Sequence, residues 1–435
     1  MVSPPQPITK SEIVLLDTES DFSDIKCISV PFDENVPQYY AISYRWGVHS
    51  LWEAQTPNYM ASITSISQGN LIKLCKLWRS HIRYIWIDVV CINQADKEHR
   101  KMAIKNMDKI YEKAEKIIAV PDLCYCTEYP MMEEVEEDHI KSVVNALSPK
   151  ESAQNPQGNR QADRKDVHFI RSSKGALFIR EVIKEWACRC WVVSERTIGV
   201  EYNKMDIIVL RANSEIAYRR WEYELGIHWD ISFSESVLIE TILNCKSTKC
   251  IDRLFAILPH SKYRDSVDRL LNQDLTIDNI MDLKMVLFNI LDIDGQVMLL
   301  QDHILHQDHL VNSHLVPHGL PSYTSGEQFR RLSLISPESE YSCVIQTAIH
   351  DGKSALEISG FYVEPVDRGL RRKCQEMLGT DIESVVDIQL AVEKDSNIHR
   401  LLRCAGADGV WVADSIISAA AIPMEDYETG TFIII

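Results

Sequence analysis

Residues whose side chains are suited to binding or catalysis concentrate in three short segments of this 435-residue chain: 39–47, 83–94 and 186–195. Arg45 follows a strand-like run in the first segment, and a local arginine is suited to holding a small anionic ligand. Asp88 ends a strand-like run in the second segment. In the third, Trp191 precedes Glu195 by four residues, and a preorganised carboxylate stabilises positive charge that develops on a substrate. The indoles of Trp46 and Trp191 offer ring faces for stacking.

Each of these side chains also has a purely structural interpretation, and from the sequence both interpretations stay open. Trp191 is expected at the start of a helix, where a tryptophan commonly packs in a core. Glu195 precedes Arg196, and a surface pair between them would be worth under about 1 kcal/mol. Asp88 would then only cap the loop that follows its strand.

The elements that position these residues alternate between strand and helix. Runs rich in β-branched and aromatic residues predict strands, and apolar stripes of helical period predict helices. In chain order we predict a strand at 40–44, a helix at 71–80, a strand at 83–87, a helix from the N-cap Asp96 through Ala114, a strand at 116–120 and a helix near 176–188. This alternation predicts an α/β fold, a parallel sheet with helices on its faces.

The rest of the chain divides into further parts. We predict an N-terminal arm (1–38) with a strand near Glu12, an α/β domain (39–205) with an acidic and polar insertion at about 123–170, a helical region (206–335) and a small α+β C-terminal domain (336–435). The composition of the insertion predicts an exposed, partly disordered segment. In the C-terminal domain, residues 343–349 and 355–363 predict a β-hairpin with Asp351 and Gly352 at its turn.

Composition and charge limit the classes of partner. The net charge of −17 disfavours nucleic acid and anionic membrane surfaces, because binding either requires basic patches, and no run of Lys or Arg in the chain provides one. No apolar run approaches the roughly 20 residues that span a bilayer. The 12 cysteines are scattered without a CxxC pair, and the N-terminus lacks the apolar core of a signal peptide. We therefore expect a cytoplasmic protein with reduced thiols.

Motifs of common cofactor and metal sites do not occur in the sequence. GxGxxG, HExxH and GxSxG are all absent. His303, His306 and His309 are spaced three apart, so a helix would place them on one face, where they could bind a metal. A polar, exposed helix is the alternative and the interpretation adopted, so no metal ligand is predicted.

The three segments, taken in order, resemble the signature of the fungal heterokaryon-incompatibility (HET) domain. The resemblance runs from about residue 39 to 200 and continues between the second and third segments through Met107, Ile110, Tyr111 and Ala114. In the third segment the family usually has arginine, any residue, tryptophan and then glutamine-glutamate. Arg189, Trp191 and Glu195 fit this pattern, and Ser194 stands in place of the usual glutamine. The resemblance implies an effector of fungal incompatibility and cell death, with a protein partner that the sequence does not identify.

The third segment also resembles the Toll/interleukin-receptor (TIR) domain, in which a tryptophan precedes a glutamate by four residues on a helix. The run from Ile42 to Arg45 is similar to the strand-end motif of that family. This second resemblance implies a TIR-like, flavodoxin-like parallel sheet. Many TIR domains cleave NAD⁺ at the nicotinamide–ribose bond with this glutamate, and TIR-like domains generally form their active site across two subunits. Self-association is therefore expected for activity.

Together the resemblances imply a set of site residues. Glu195 is the expected catalytic residue, and the expected ligand-binding residues are Arg45, Trp46, Ser43, Asp88, Trp191 and Arg189. Arg45 would hold the pyrophosphate of NAD⁺, which is expected as a substrate and not as a tightly bound cofactor. Nicotinamide departs neutral, so no general acid is needed, and a carboxylate near the ribose stabilises the developing oxocarbenium ion.

A non-enzymatic role is the alternative function. In that reading the domain is a recognition or scaffold module that signals through partner contacts, in incompatibility or as an accessory of a biosynthetic gene cluster. The position of Glu195 distinguishes the two readings. A cleft that Glu195 shares with Arg45 favours an enzyme, and an outward-facing Glu195 without a cleft favours a scaffold.

Overall fold

The fold is taken from a computed structural model that describes residues 12–125, 135–147, 173–212, 214–217, 234–273, 275–306, 339–365, 383–393, 398–407, 409–420 and 423–435. The N-terminal part contains β1 (Glu12–Asp17), β2 (Cys27–Pro31), β3 (Tyr39–Ser43), β4 (Trp52–Gln55), β5 (Met60–Ile63), α1 (Gln68–Trp78), β6 (Tyr84–Trp86), α2 (Asp88–Cys91), α3 (Lys97–Lys105), α4 (Met107–Lys113) and β7 (Lys116–Ala119). It continues with α5 (Glu137–Leu147), α6 (Lys174–Ala187), α7 (Cys190–Glu201), β8 (Met205–Val209) and β9 (Ser214–Ala217).

Seven of these strands form one mixed sheet in the order β2-β1-β6-β3-β7-β8-β9. The four central strands, β6, β3, β7 and β8, run parallel, whereas β1, β2 and β9 pair antiparallel at the two sides. The prediction of a parallel sheet flanked by helices is confirmed for these central strands. The sheet also extends past residue 205, where the sequence placed a boundary, because β8 and β9 belong to it.

The order of the central strands creates a switch point beside β3. The chain passes from β3 to β6 on one side and then returns to β7 on the other. Consecutive connections therefore diverge at the carboxyl ends of β3 and β7. In open α/β sheets, crevices that bind ligands form at such points.

Local sequence rules explain where the first helices begin. Ser67 caps α1 by accepting a 3.1 Å hydrogen bond from the backbone N–H of Asn70. Asp96 caps α3 as predicted, accepting from the backbone N–H groups of Glu98 and His99 at 2.9 and 3.0 Å. The single helix predicted from Asp96 through Ala114 is wrong, because the chain breaks at Asn106 into α3 and α4. The Asn106 side chain donates to the Met102 carbonyl at 2.9 Å, and such local bonds compete with the helical ladder.

Two consecutive helices, α6 and α7, bring the third sequence segment to the sheet. The break between them lies at Arg189, whose extended backbone pairs with Lys246 in an isolated parallel bridge. Most of α7 is buried, since Val192 and Ile198 pack in the core around the sheet while Cys190 and Val193 pack in a second core. The helix that carries Glu195 is thus enclosed on two sides.

The described part of the predicted insertion is partly packed. Residues 126–134 and 148–172 lie outside the described residues, so the expectation of an exposed, disordered segment is not tested there. Between them, α5 buries Ile140 and Val143 in the core around the sheet. Helix α5 also contacts α6 closely at Gly175, where an added Cβ would lie 2.3 Å from the His139 carbonyl oxygen.

We predict that Gly175→Ala lowers the free energy of unfolding by about 2 kcal/mol, because the new methyl group meets backbone that cannot rotate away. Urea unfolding followed by circular dichroism measures the change. Gly69→Ala is the matched control, since an added Cβ in α1 would meet only the Ser67 hydroxyl oxygen at 4.0 Å. Equal stability of the Gly175→Ala and wild-type proteins would contradict the close packing of α5 on α6.

The C-terminal half contains α8 (Glu235–Asn244), α9 (Ile251–Ile257), a 3₁₀ turn (Leu258–His260), α10 (Ser266–Asn272), α11 (Ile280–Ile290) and α12 (Ile293–His306). These are followed by β10 (Ser339–Tyr341), β11 (Cys343–His350), β12 (Lys353–Val363), β13 (Ser384–Glu393), β14 (Ile398–Ala407), β15 (Val410–Ala419), a 3₁₀ turn (Met424–Asp426) and β16 (Glu428–Ile434). The helices and the inner faces of these strands share the second core, which includes Leu287, Ile358, Ile388 and Phe432.

The last seven strands form a sheet in the order β10-β13-β14-β15-β16-β12-β11, and an additional β12–β13 pairing closes five of them into a ring. Within the described residues beyond 338, this region is strand-rich and its only helical element is a 3₁₀ turn, so the predicted α+β character is not found there. The predicted hairpin is confirmed as β11 and β12. Asp351 and Gly352 both have positive φ at its turn, 50° and 75°, as a type I′ turn requires.

Candidate functional site

The predicted catalytic carboxylate lies beneath the carboxyl end of β3. Ser43, the last residue of that strand, is fully buried, and its Oγ donates a hydrogen bond to Oε2 of Glu195. The indole Nε1 of Trp186 donates to the same Ser43 Oγ at 2.8 Å. Ser43 therefore connects the last turn of α6 to the carboxylate on α7.

Burial changes the acidity of this carboxylate. Glu195 is 8% exposed, and the loss of solvation raises its pKa from 4.5 to about 7. Hydrogen bonds from Ser43 and Tyr111 and the positive charge of Arg189 lower the pKa and limit this rise. A carboxyl group with a pKa near 7 is partly protonated and partly ionised at physiological pH. Such shifted pKa values are common at functional sites.

A second carboxylate, Asp88, lies at the same edge of the sheet. It is the first residue of α2 and follows β6 after one residue. Oδ1 of Asp88 accepts from the Tyr44 hydroxyl at 2.7 Å, and Oδ2 accepts from Nε1 of Trp46 at 2.9 Å. Burial raises the pKa of Asp88, while these two donors lower it. Trp46 is 42% exposed at the rim of the site.

Arg45 is engaged with an acidic partner that the sequence did not indicate. Its Nη1 donates to Oε2 of Glu185 on α6, and the Tyr125 hydroxyl donates to the same oxygen. The guanidinium also lies over the Tyr125 ring, with Cζ 5.4 Å from the ring centroid. The side chains of Arg45 and Glu185 are 19% and 30% exposed, so this pair is at the surface of the switch point.

Arg189 and Trp191 have different surroundings although only one residue separates them. Nη1 of Arg189 donates to the Tyr44 carbonyl at 2.9 Å, so Arg189 supports the loop that carries Arg45 and Trp46. The indole of Trp191 packs against the second core. Trp191 therefore does not lie with the other expected ligand-binding residues, because α7 directs its side chain toward the C-terminal half.

Ser194, which stands where the HET pattern usually has glutamine, also faces the C-terminal half. Its Oγ lies 2.7 Å from Nε2 of His260 at the end of the 3₁₀ turn. Burial lowers the pKa of His260 to about 4, so the imidazole is neutral at physiological pH. Ser194 thus links α7 to the helical region and lies apart from the carboxylate site.

Five of the seven expected site residues surround one edge of the sheet directly: Glu195, Ser43, Arg45, Trp46 and Asp88. Arg189 supports them through its hydrogen bond to the backbone carbonyl of Tyr44, and Trp191 does not lie with them. Sequence reasoning missed Glu185, Tyr125 and the role of Tyr111. Only the proximity of Glu185 to Trp186 in the chain could have pointed to it, and Tyr125 lies beside the insertion, where no strand or helix period guides prediction.

The two cavities described in the structure bear on access to this edge. Both lie elsewhere. One of about 420 Å³ is lined by Ser359–Phe361 and Thr429–Thr431, and one of about 300 Å³ is lined by Thr18, Glu19 and Arg79–Arg83. Neither contains Glu195 or Arg45, so neither provides the cleft shared by Glu195 and Arg45 that an enzyme would favour.

Metal binding and membrane insertion have no support in the described part of the chain. There, no three His, Cys, Asp or Glu side chains come together in a way that could hold a metal ion. His309 lies outside the described residues, as do the side chains of His303 and His306. Among the described helices, none has the length and apolar character needed to span a bilayer.

Comparison with known proteins gives a match to a family model that covers the part of the chain containing Ser43 and Glu195. The curated proteins and the solved structures contain no significant match to the chain. A family model does match, described as Heterokaryon incompatibility protein (HET), over residues 39–195. The matched range begins at the first residue of β3 and ends at Glu195, so it contains three of the four central strands, β3, β6 and β7, together with Ser43 and Glu195. The HET resemblance inferred from the sequence is thus confirmed for residues 39–195, and the TIR resemblance stays a prediction.

Proposed function

We propose that this protein is a cytoplasmic effector of heterokaryon incompatibility and cell death that cleaves NAD⁺ at the nicotinamide–ribose bond. The HET match supports the biological role. The enzymatic part rests on one observation: Glu195, a carboxylate whose pKa burial raises to about 7, is hydrogen-bonded to Ser43 at the carboxyl end of β3, the strand that leads into Arg45 and Trp46.

Each side chain has a distinct task in this mechanism. Ionised Glu195 stabilises the oxocarbenium ion that forms as the nicotinamide–ribose bond breaks and neutral nicotinamide leaves; water then adds to this ion, giving ADP-ribose and releasing a proton to solvent. Arg45 binds the pyrophosphate, and the exposed indole of Trp46 stacks on a ring of the substrate. Ser43 and Asp88 act as positioning residues, because Ser43 orients the carboxylate and Asp88 holds the Trp46 indole through a hydrogen bond.

Assembly is the proposed trigger. In a single chain Glu195 is 8% exposed beneath β3, so substrate does not reach it without a change at this edge. We propose that self-association moves the elements packed around the loop after β3, opens a path to Glu195 and completes the site. A lethal activity that depends on assembly stays off at low concentration of the protein.

The direct test is nicotinamide release from NAD⁺ by the purified wild-type protein across a range of protein concentrations. Light scattering on the same samples reports assembly. Release that rises more steeply than in proportion to concentration, together with the assembled fraction, is expected. Assembled protein that releases no nicotinamide would overturn the enzymatic proposal.

We predict that nicotinamide release rises with pH through a midpoint near 7. Glu195 acts as the ionised carboxylate, and burial raises its pKa to about 7, so the active form is lost below that pH. Initial rates between pH 5.5 and 8.5, at constant ionic strength and with NAD⁺ well below its KM, measure the midpoint of the ligand-free protein. A flat profile down to pH 5.5 would contradict an essential Glu195 with this pKa.

A recognition or scaffold role is the second candidate. The observation in its favour is that the two described cavities both lie away from Glu195 and Arg45. In this reading the buried Glu195 only anchors α7 to β3 through Ser43, and partners bind the exposed edge around Trp46. An incompatibility phenotype that survives Glu195→Gln would favour this role.

A further inference from the structure

The loop after β3 presents Arg45 in a fixed position at the switch point. The backbone N–H of Gly47 donates to the Ser65 carbonyl at 2.8 Å, and that of His49 donates to the Thr64 carbonyl at 2.8 Å. Arg189 holds the Tyr44 carbonyl from the other side. An arginine on a loop that is anchored on both sides of it loses little freedom when an anion binds.

The group that now contacts Arg45 is a carboxylate of the same chain. Oε2 of Glu185 accepts from Arg45 and from the Tyr125 hydroxyl, while the Tyr125 ring lies under the guanidinium. Carboxylates and phosphates use the same geometry toward a guanidinium, so Glu185 occupies a position that a phosphate oxygen would take.

The contact is exposed enough to be displaced. The side chains of Arg45 and Glu185 are 19% and 30% exposed, so solvent reaches the pair and screens part of its attraction. A diphosphate carries more charge than one carboxylate and offers more acceptor oxygens to the guanidinium and to the Tyr125 hydroxyl.

We propose that Arg45 and Tyr125 form a binding site for a diphosphate-class anion, and that Glu185 is the internal anion that blocks the site until such a ligand displaces it. This deepens the proposed function, on whose assignment of Arg45 to the substrate's pyrophosphate it rests. Glu185 is on α6 one residue before Trp186, whose indole supports Ser43. Displacement of Glu185 thus acts next to the hydrogen bonds that orient Glu195.

The test measures binding of inorganic pyrophosphate to the full-length protein by titration calorimetry at low ionic strength. Glu185→Gln is expected to tighten binding about three- to tenfold, because the competing charge is removed. Glu181→Gln, an exposed glutamate one turn earlier on α6, makes the same change in net charge and is expected to bind like wild type. Addition of Arg45→Ala to Glu185→Gln is expected to abolish binding.

Tyr125→Phe gives a milder variant of the same test. It removes the hydroxyl that holds Glu185 and keeps the ring under Arg45, so fold is preserved. Release of Glu185 strengthens binding and loss of the hydroxyl weakens it, so the expected change is smaller than that of Glu185→Gln. If Glu185→Gln does not fold, Glu185→Asp, whose shorter carboxylate reaches Arg45 less well, replaces it with the same expected direction.

Three results would overturn the proposal: equal affinities of wild type and Glu185→Gln, equal tightening by Glu181→Gln, or binding that survives Arg45→Ala. Failure of the anion site and failure of the proposed NAD⁺ cleavage give different results. If assembled wild type releases no nicotinamide but pyrophosphate binding follows the expected pattern, the anion site stands and NAD⁺ cleavage falls. If nicotinamide is released but Glu185→Gln binds pyrophosphate like wild type, the enzyme stands and the blocking role of Glu185 falls.

Discussion

Glu195→Gln is expected to reduce nicotinamide release by about 100-fold or more while making the folded protein more stable at pH 8. The loss of activity follows because the amide carries no charge to stabilise the oxocarbenium ion. The amide keeps the size of the carboxyl group, and its oxygen still accepts from Ser43. The fold and the assembly of the protein should therefore be unchanged.

The stabilisation follows from the pKa of Glu195. The unfolded chain has the ordinary value of 4.5, and burial in the folded protein raises it to about 7. Between these values the folded state binds more protons than the unfolded state, so stability falls as pH rises, and the full penalty is present above 7. Replacing the carboxylate removes a penalty of about 1–3 kcal/mol at pH 8 and almost none near pH 4.5.

Urea unfolding of both proteins at pH 5 and pH 8 measures this difference, with nicotinamide release assayed in parallel. Glu201→Gln is the control, because Glu201 is exposed at the end of the same helix. Unchanged release would show that Glu195 is not catalytic. A stability difference that is the same at both pH values would show that the carboxyl group is not penalised by burial.

Ser43→Ala is expected to lower nicotinamide release at pH 7 about tenfold and to move the midpoint of the pH profile upward. Ser43 donates to Glu195, and this hydrogen bond lowers the pKa of the carboxyl group. Without it the pKa rises further, so less of the ionised form is present at pH 7. Loss of the bonds to Glu195 and Trp186 also costs about 1–3 kcal/mol of stability.

The pH profile of nicotinamide release separates positioning from general destabilisation. Ser62→Ala makes the same chemical change at an exposed residue of β5 and should leave both the rate and the midpoint unchanged. A purely structural Ser43 would reduce the amount of active protein at every pH. A Ser43→Ala profile with the wild-type midpoint would therefore exclude the proposed positioning role.

Local sequence rules were sufficient to predict several strands, one helix cap and one turn. The strands at β3, β6 and β7 were predictable because β-branched and aromatic runs between helical stripes have few alternatives in an α/β domain. The cap at Asp96 and the turn at Asp351 and Gly352 depend on neighbours only two or three residues away. The break at Asn106 was missed because one side-chain bond to Met102 interrupts an apolar stripe that continues past it.

The gathering of the site residues was also foreseeable in part. Ser43 and Asp88 lie at or just past the carboxyl ends of neighbouring parallel strands, which meet at one edge of any such sheet. The chemistry of Glu195 was not foreseeable, because its raised pKa comes from burial by elements far apart in the chain. The same holds for the pairing of Arg45 with Glu185, which joins two residues 140 positions apart.

The sequence by itself determined the strands β3, β6 and β7, the cap at Asp96 and the hairpin turn, because these depend on local conformational preference. It also brought Ser43 and Asp88 to one edge of the sheet, because that follows from strand direction. Only the tertiary structure decided that Trp191 turns to the second core and that five C-terminal strands close into a ring. It also decided that Glu185 forms an ion pair with Arg45 and that Glu195 is buried. These features arise from contacts between distant segments, whose relative positions follow from packing and not from the period of any single element.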